Sequence, residues 1–220
     1  MTGNTIPLYK RPFRFEFRNI TLLLIGLNVA VFVIHQFLLR LNIFQDLMGY
    51  LAMNPILVTQ RGFIWQPFTY MFAHANITHL LFNMLGLFFF GTQLERTLGT
   101  WEFLTFYLIT GLLAGLLSLV IFLVTGAYGV FLLGASGAVF AVLLGFAVYY
   151  PDARIFVFGI FPIRSPVLVI GYTVIELFSQ LSNPGSGVAH LTHLAGFAFA
   201  YLYLLLRLNR NAFRIWFGQR

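Results

Sequence analysis

Six apolar runs, near residues 19–39, 77–94, 101–124, 131–150, 166–182 and 189–207, leave this chain few folds to choose from. A helix needs ~20 apolar residues to cross the ~30 Å hydrocarbon core of a bilayer, and each run approaches that length with almost no charge. Hydrophobic residues make up 60% of the chain and charged ones 9%, against about 45–50% apolar residues in soluble domains. The expected fold is an all-α membrane protein, a polytopic bundle of six transmembrane helices. One domain is expected over 1–220, with a basic N-terminus at 1–18, a core at 19–207 and a basic tail at 208–220. No separate soluble domain fits between the runs.

The run boundaries carry recognisable punctuation. Asn19 is placed to cap the first helix, and Pro151 follows Tyr149 and Tyr150 at the end of the fourth, where interfacial aromatics belong. Asn183 to Gly187 make a short flexible loop. Residues 40–76, with Trp65, Phe68, Tyr70, Phe72, Pro55 and Pro67, are expected to lie partly in the interface as short helices. The first run is too long for a signal-peptide core and reads as a retained span. With the N-terminus inside, all basic residues but Arg40 and Arg61 fall on the inner side, as the positive-inside rule requires. Both termini are then cytoplasmic. The net charge of +7 flanks the apolar runs and forms no stripe with interleaved aromatics, so nucleic acid is not an expected partner. Cysteine is absent, which removes disulfide, thiolate and cysteine–metal chemistry.

Polar side chains within such runs are costly unless they face a bundle interior or a water-filled cavity. They are His79 and Asn83 in the second run, Ser136 in the fourth, Glu176 in the fifth, and His190 and His193 in the sixth. Runs two, four and six cross in the same direction, so their N-terminal turns share a membrane level. His79, Ser136 and His193 each lie near such a start, roughly 5–10 Å below the outer interface at ~1.5 Å rise per residue. Three distant segments can therefore meet.

Taken alone, Ser136 in Gly134-Ala135-Ser136-Gly137 is more often a small packing residue, and Ala138 breaks the Gly-x-Ser-x-Gly elbow of soluble hydrolases. Gly137, Ala141 and Gly145 form a small-residue stripe at four-residue intervals, and Gly196 and Ala200 form another on the sixth run. His193 lies three residues before Gly196 on the same face, so packing the stripes together brings it toward Ser136. His79, Asn83 and Gly86 share one face of the second run, which suits a structural hydrogen-bonded pair as well as a site. His74 and His190 read as loop or interfacial residues. His190 and His193 could present two metal ligands, but a metalloprotease helix needs His-Glu-x-x-His, and Leu191 and Thr192 stand there with no carboxylate nearby in sequence. No metal and no cofactor are expected.

The pattern His74-x4-His79-x3-Asn83, then Gly134-Ala135-Ser136-Gly137, then His193-Leu194-Ala195-Gly196, resembles the rhomboid family of intramembrane serine proteases. The outer loop with Trp65 and Thr69 and the Glu95-Arg96-Thr97-Leu98-Gly99 turn extend the resemblance over nearly the whole chain. It implies that Ser136 is the nucleophile and His193 the general base, with His79, Asn83 and the Ser136 N–H as oxyanion donors. It also assigns orientation of His193 to Phe140, where many relatives have tyrosine, and supporting roles to Gly134, Gly137 and Gly196. Phe82 would press against a mobile fifth helix that acts as a lateral gate. No carboxylate lies near His193 in sequence and Asp152 sits at the far end of the fourth run, so a Ser–His dyad is expected, with Glu176 making a structural hydrogen bond. Gln66 stands where relatives often have arginine, and Ala200 where a second glycine is common. Implied partners are transmembrane protein substrates within membrane lipid, in a bacterial inner membrane. Two other readings fit the same residues: a small transporter or channel relaying protons through Glu176, or an inactive relative that binds transmembrane helices.

Overall fold

A computed structural model describes residues 13–43, 47–157, 159–182 and 188–218. The features expected at Lys10, Arg11, the 183–187 loop and Arg220 lie outside the described residues. The first crossing is α1 (Ile20–Arg40), followed by the short helices α2 (Leu47–Leu51), α3 (Pro55–Arg61) and α4 (Gln66–Thr69). The second joins α5 (Ile77–Gly86) through a π-helical turn at Leu87–Gly91 to α6 (Thr92–Leu98). Then come α7 (Thr100–Thr125), α8 (Ser136–Tyr149), α9 (Ser165–Ser182), α10 (Val188–Leu206) and α11 (Ala212–Phe217). Four of these crossings are long and apolar enough to span a membrane, namely Ile20–Arg40, Ile77–Leu98, Thr100–Thr125 and Ser165–Ser182, while α8 and α10 are shorter apolar helices. A two-stranded antiparallel hairpin, β1 (Arg154–Val157) with β2 (Phe161–Arg164), joins α8 to α9 and is an addition to the expected helices. Part of the expected basic tail is helical, as α11.

Helix α8 is the central post. Every residue from Gly137 to Val148 except Phe140 is buried, and α7 and α10 pack along it. At ~1.5 Å per residue its 14 residues reach about 21 Å, less than the ~30 Å apolar core. It is therefore too short to span that core by itself, and chain outside the helix must make up the rest of the crossing. The sequence placed this helix from residue 131, but it begins at Ser136. The preceding backbone finds other partners: Leu132 and Met53 exchange N–H···O bonds of 2.8 Å, and the Gly134 N–H donates to the Tyr70 carbonyl at 2.9 Å. Irregular chain at membrane depth persists only where its polar groups are satisfied within protein.

The expected short helices between residues 40 and 76 are present, and Gln66 anchors them. Fully buried, its amide donates to the Gly49 carbonyl at 2.7 Å, and its oxygen accepts from the Asn54 N–H at 3.1 Å. Asn54 caps α3 and donates to the Tyr128 and Val130 carbonyls, tying the loop to the approach to α8. At the start of α1, Asn19 adopts a left-handed φ of 54° with no side-chain cap. That cap comes instead from Glu95 of α6, which accepts from the Ile20 and Thr21 N–H groups at 2.8 and 2.9 Å. A carboxylate has two acceptor oxygens and matches the positive end of the helix dipole, so it displaces the weaker asparagine cap.

Candidate active site

Ser136 is the first residue of α8, placed there by the turn at Gly134. Gly134 has φ +117°, and a Cβ on it would lie 2.6 Å from the His79 ring, so only glycine admits both this turn and this neighbour. The first-turn N–H groups of a helix lack intrahelical acceptors, which leaves the Ser136 end of α8 rich in free donors.

His193 reaches Ser136 because α10 lies against α8 at backbone distance. A Cβ on Gly196 would come within 2.1 Å of the Gly137 carbonyl oxygen, and one on Gly137 within 3.1 Å of Thr192 Cγ2. Nearby, the Thr192 and Ser118 hydroxyls meet at 2.7 Å and tie α10 to α7. One expected member of the stripe turns elsewhere: Gly145 faces Leu94 and Phe106, not α10. Four-residue steps drift ~40° each around a helix, so eight residues rotate the position away. Ala200 is fully buried in place of a second glycine.

The Ser136 Oγ lies 2.7 Å from His193 Nε2, and the Phe140 ring stacks on the His193 imidazole with centroids 4.2 Å apart. His79 and Asn83 of α5 face the Gly134 turn across a narrow gap, and a Cβ on Gly134 would sit 3.8 Å from Asn83 Nδ2. One amide proton of Asn83 is held by the His79 carbonyl at 3.0 Å; the other is available to a ligand. Gly86 meets Val139 of α8 and sets the spacing of the two helices. Phe82 points outward and is 69% exposed.

Two positions differ from expectation. His74 lies in the connection before α5 but is buried, with its ring 5.1 Å edge-on to that of His79. Burial, reinforced by His79, holds its imidazole well below the ordinary range, at about 4. The larger correction concerns the expectation that no carboxylate stands beside His193. Glu176 Oε1 lies 3.0 Å from His193 Nδ1, and its Oε2 lies 2.5 Å from His190 Nδ1. The signal was present in the sequence. Glu176 lies seven residues before Asn183, while His190 and His193 lie three and six after Gly187, so two antiparallel helices place them at similar depth. Glu176, His190 and His193 also offer ligand atoms within 4.8 Å of one another, close enough that the three could share a metal ion.

Fold and site together define a polytopic helical membrane protein with a Ser–His pair in contact between α8 and α10. The Rhomboid domain family matches residues 61–210, and the chain belongs to the rhomboid family. It is 33% identical over 166 residues to RHOMBOID-like protein 12, mitochondrial, of Arabidopsis thaliana, covering 66% of this chain and 47% of that protein. It is 30% identical over 124 residues to Rhomboid protease GlpG of Haemophilus influenzae (56% and 59%), and 31% over 132 residues to Putative rhomboid protease YdcA of Bacillus subtilis (60% and 63%). The matched part of the chain spans between about half and just under two thirds of the length of these relatives.

Proposed function

We propose that this chain is an intramembrane serine endopeptidase that cleaves transmembrane segments of membrane proteins near the outer face of the bilayer. The carrying observation is the 2.7 Å contact between Ser136 Oγ, at the start of the short helix α8, and His193 Nε2. In this reading His193 removes the hydroxyl proton as Oγ attacks the scissile carbonyl, and the charge developing on the carbonyl oxygen falls to His79, Asn83 and the Ser136 N–H. The proton then passes to the leaving amine, and a water entering from the outer side hydrolyses the acyl-enzyme. The single domain over 1–220 with its six-crossing core at 19–207, and the placement of both termini on the cytoplasmic side of a bacterial inner membrane, belong to the same proposal; the charge distribution supports the orientation.

The test is cleavage of a transmembrane substrate by purified protein in detergent. Cleavage disappears in Ser136→Ala, a fluorophosphonate labels Ser136, and chelators leave the rate unchanged. Persistence of cleavage in Ser136→Ala overturns the reading; loss of activity on chelation, restored by zinc, transfers it to a Glu–His–His metal centre.

A further inference from the structure

We propose that Glu176 is a positioning carboxylate for His193, so that Ser136, His193 and Glu176 act as a triad; this rests on the protease reading above. For Nε2 to accept the serine proton, the ring's own proton must sit on Nδ1, and that N–H needs an acceptor. Glu176 Oε1 supplies one at 3.0 Å, on the side of the ring opposite Ser136. A residue that merely fastened α9 to α10 could use any nitrogen of either histidine. The bond instead engages the atom whose protonation decides whether His193 can act as a base.

The second carboxylate oxygen is fixed as well. His190 Nδ1 lies 2.5 Å from Oε2, so histidines one turn apart on α10 hold both oxygens. The Glu176 side chain is only 8% exposed, and an ionised carboxylate at membrane depth is retained only where paired and hydrogen-bonded. Along α9 the buried residues are Ser165, Val169 and Glu176, and Glu176 is the charged one. During acylation the Ser136 O–H bond breaks, a bond forms from Oγ to the substrate carbon, and the proton moves to Nε2. Nδ1–H stays hydrogen-bonded to Oε1, and the carboxylate stabilises the imidazolium without taking its proton.

The experiment compares full-length wild type, Ser136→Ala, Glu176→Gln and His190→Gln in detergent by kcat and KM on a transmembrane substrate, fluorophosphonate labelling rate and thermal midpoint. In Glu176→Gln, kcat and labelling rate fall about 100-fold or more, while KM stays within about twofold. In His190→Gln, kcat falls severalfold because the carboxylate loses its second anchor. An inactive Ser136→Ala beside a Glu176→Gln with kcat within about threefold of wild type overturns the triad and leaves the protease reading standing; an active Ser136→Ala overturns the protease reading itself. Should Glu176→Gln fail to purify folded, His190→Gln decides: a fall in kcat at constant KM and midpoint supports the proposal, and an unchanged kcat overturns it.

Discussion

The Phe140 ring lies nearly parallel to the imidazole of His193, with centroids 4.2 Å apart and planes at 10°. Stacking restricts the tilt of the imidazole but cannot choose its tautomer, because an apolar ring accepts no hydrogen bond along the plane of its neighbour. Aromatic contacts of this kind are worth about 0.5–1.5 kcal/mol, or roughly 2- to 12-fold in rate. Phe140→Leu keeps the apolar volume and loses the flat surface, so kcat should fall by that factor at nearly constant KM. A loss as large as that of Glu176→Gln would assign orientation of His193 chiefly to the ring.

The α8–α10 contact makes unequal demands on its two glycines. A Cβ on Gly196 strikes the Gly137 carbonyl oxygen at 2.1 Å, whereas one on Gly137 meets side-chain atoms at 3.1–3.3 Å. Backbone cannot yield without moving a helix, and a methyl group can shift by tenths of an ångström. Gly196→Ala should therefore destabilise by about 1–3 kcal/mol and lower the labelling rate of Ser136 by separating it from His193. Gly137→Ala should lower the thermal midpoint less. Equal midpoints for the two variants would remove the close-packing account of how the pair is brought together.

His79 and Asn83 approach the Gly134 turn, two residues before Ser136, from α5. Direct donation to the oxyanion is made in the transition state, so His79→Ala and Asn83→Ala should lower kcat by roughly tenfold to several hundredfold apiece with little change in KM. Asn83 keeps one amide proton on the His79 carbonyl, so Asn83→Asp, which accepts but does not donate, should be at least as slow as alanine. Raised KM with unchanged kcat would make these two residues substrate holders.

His74 gives the fold a pH dependence of defined sign. Its folded-state value of about 4 lies below the ~6.5 of an unfolded chain, so between those values the unfolded state binds a proton that the folded state refuses. Stability is then complete above about pH 6.5 and declines as pH falls toward 4. His74→Gln cannot take up that proton. Thermal midpoints measured at several pH values should fall less steeply over this window in the variant than in wild type.

The apolar runs made the helices legible, because a membrane-spanning helix needs little more than length and an absence of charge. Where local pattern and structure part, a side chain or backbone segment distant in sequence takes over a local role: Glu95 caps α1 in place of Asn19, and Met53 holds Leu132 in an extended pairing where the apolar run predicts helix. The convergence of Ser136 and His193 could be anticipated from the small-residue stripes, since glycine at 137 and 196 leaves only one close way to pack. Glu176 was visible as a costly carboxylate, but its partner could be identified only by counting back from both sides of the α9–α10 hairpin. The buried Gln66 was legible as a departure from the family pattern; that it anchors the loop depends on Gly49 and Asn54, which no periodicity connects to it.

On the protease reading, a substrate helix in lipid must reach the Ser136–His193 pair held between α8 and α10. Helix α9 is the candidate to move: most of its surface is exposed, with Phe178 at 70% and Leu181 at 79%, and it packs on α8 and α10 along one narrow face. Phe82, on the outer face of α5, is itself 69% exposed, so truncating it opens no internal cavity and should leave the thermal midpoint nearly unchanged. If a bulky side chain there impedes lateral entry, Phe82→Ala should raise cleavage of a transmembrane substrate severalfold while leaving a short soluble peptide, which needs no such route, almost unaffected. A cross-link between α5 and α9 should do the reverse, slowing the transmembrane substrate and sparing the peptide. Parallel changes in both substrates would place the limiting step at the chemistry and count against α9 as the moving element.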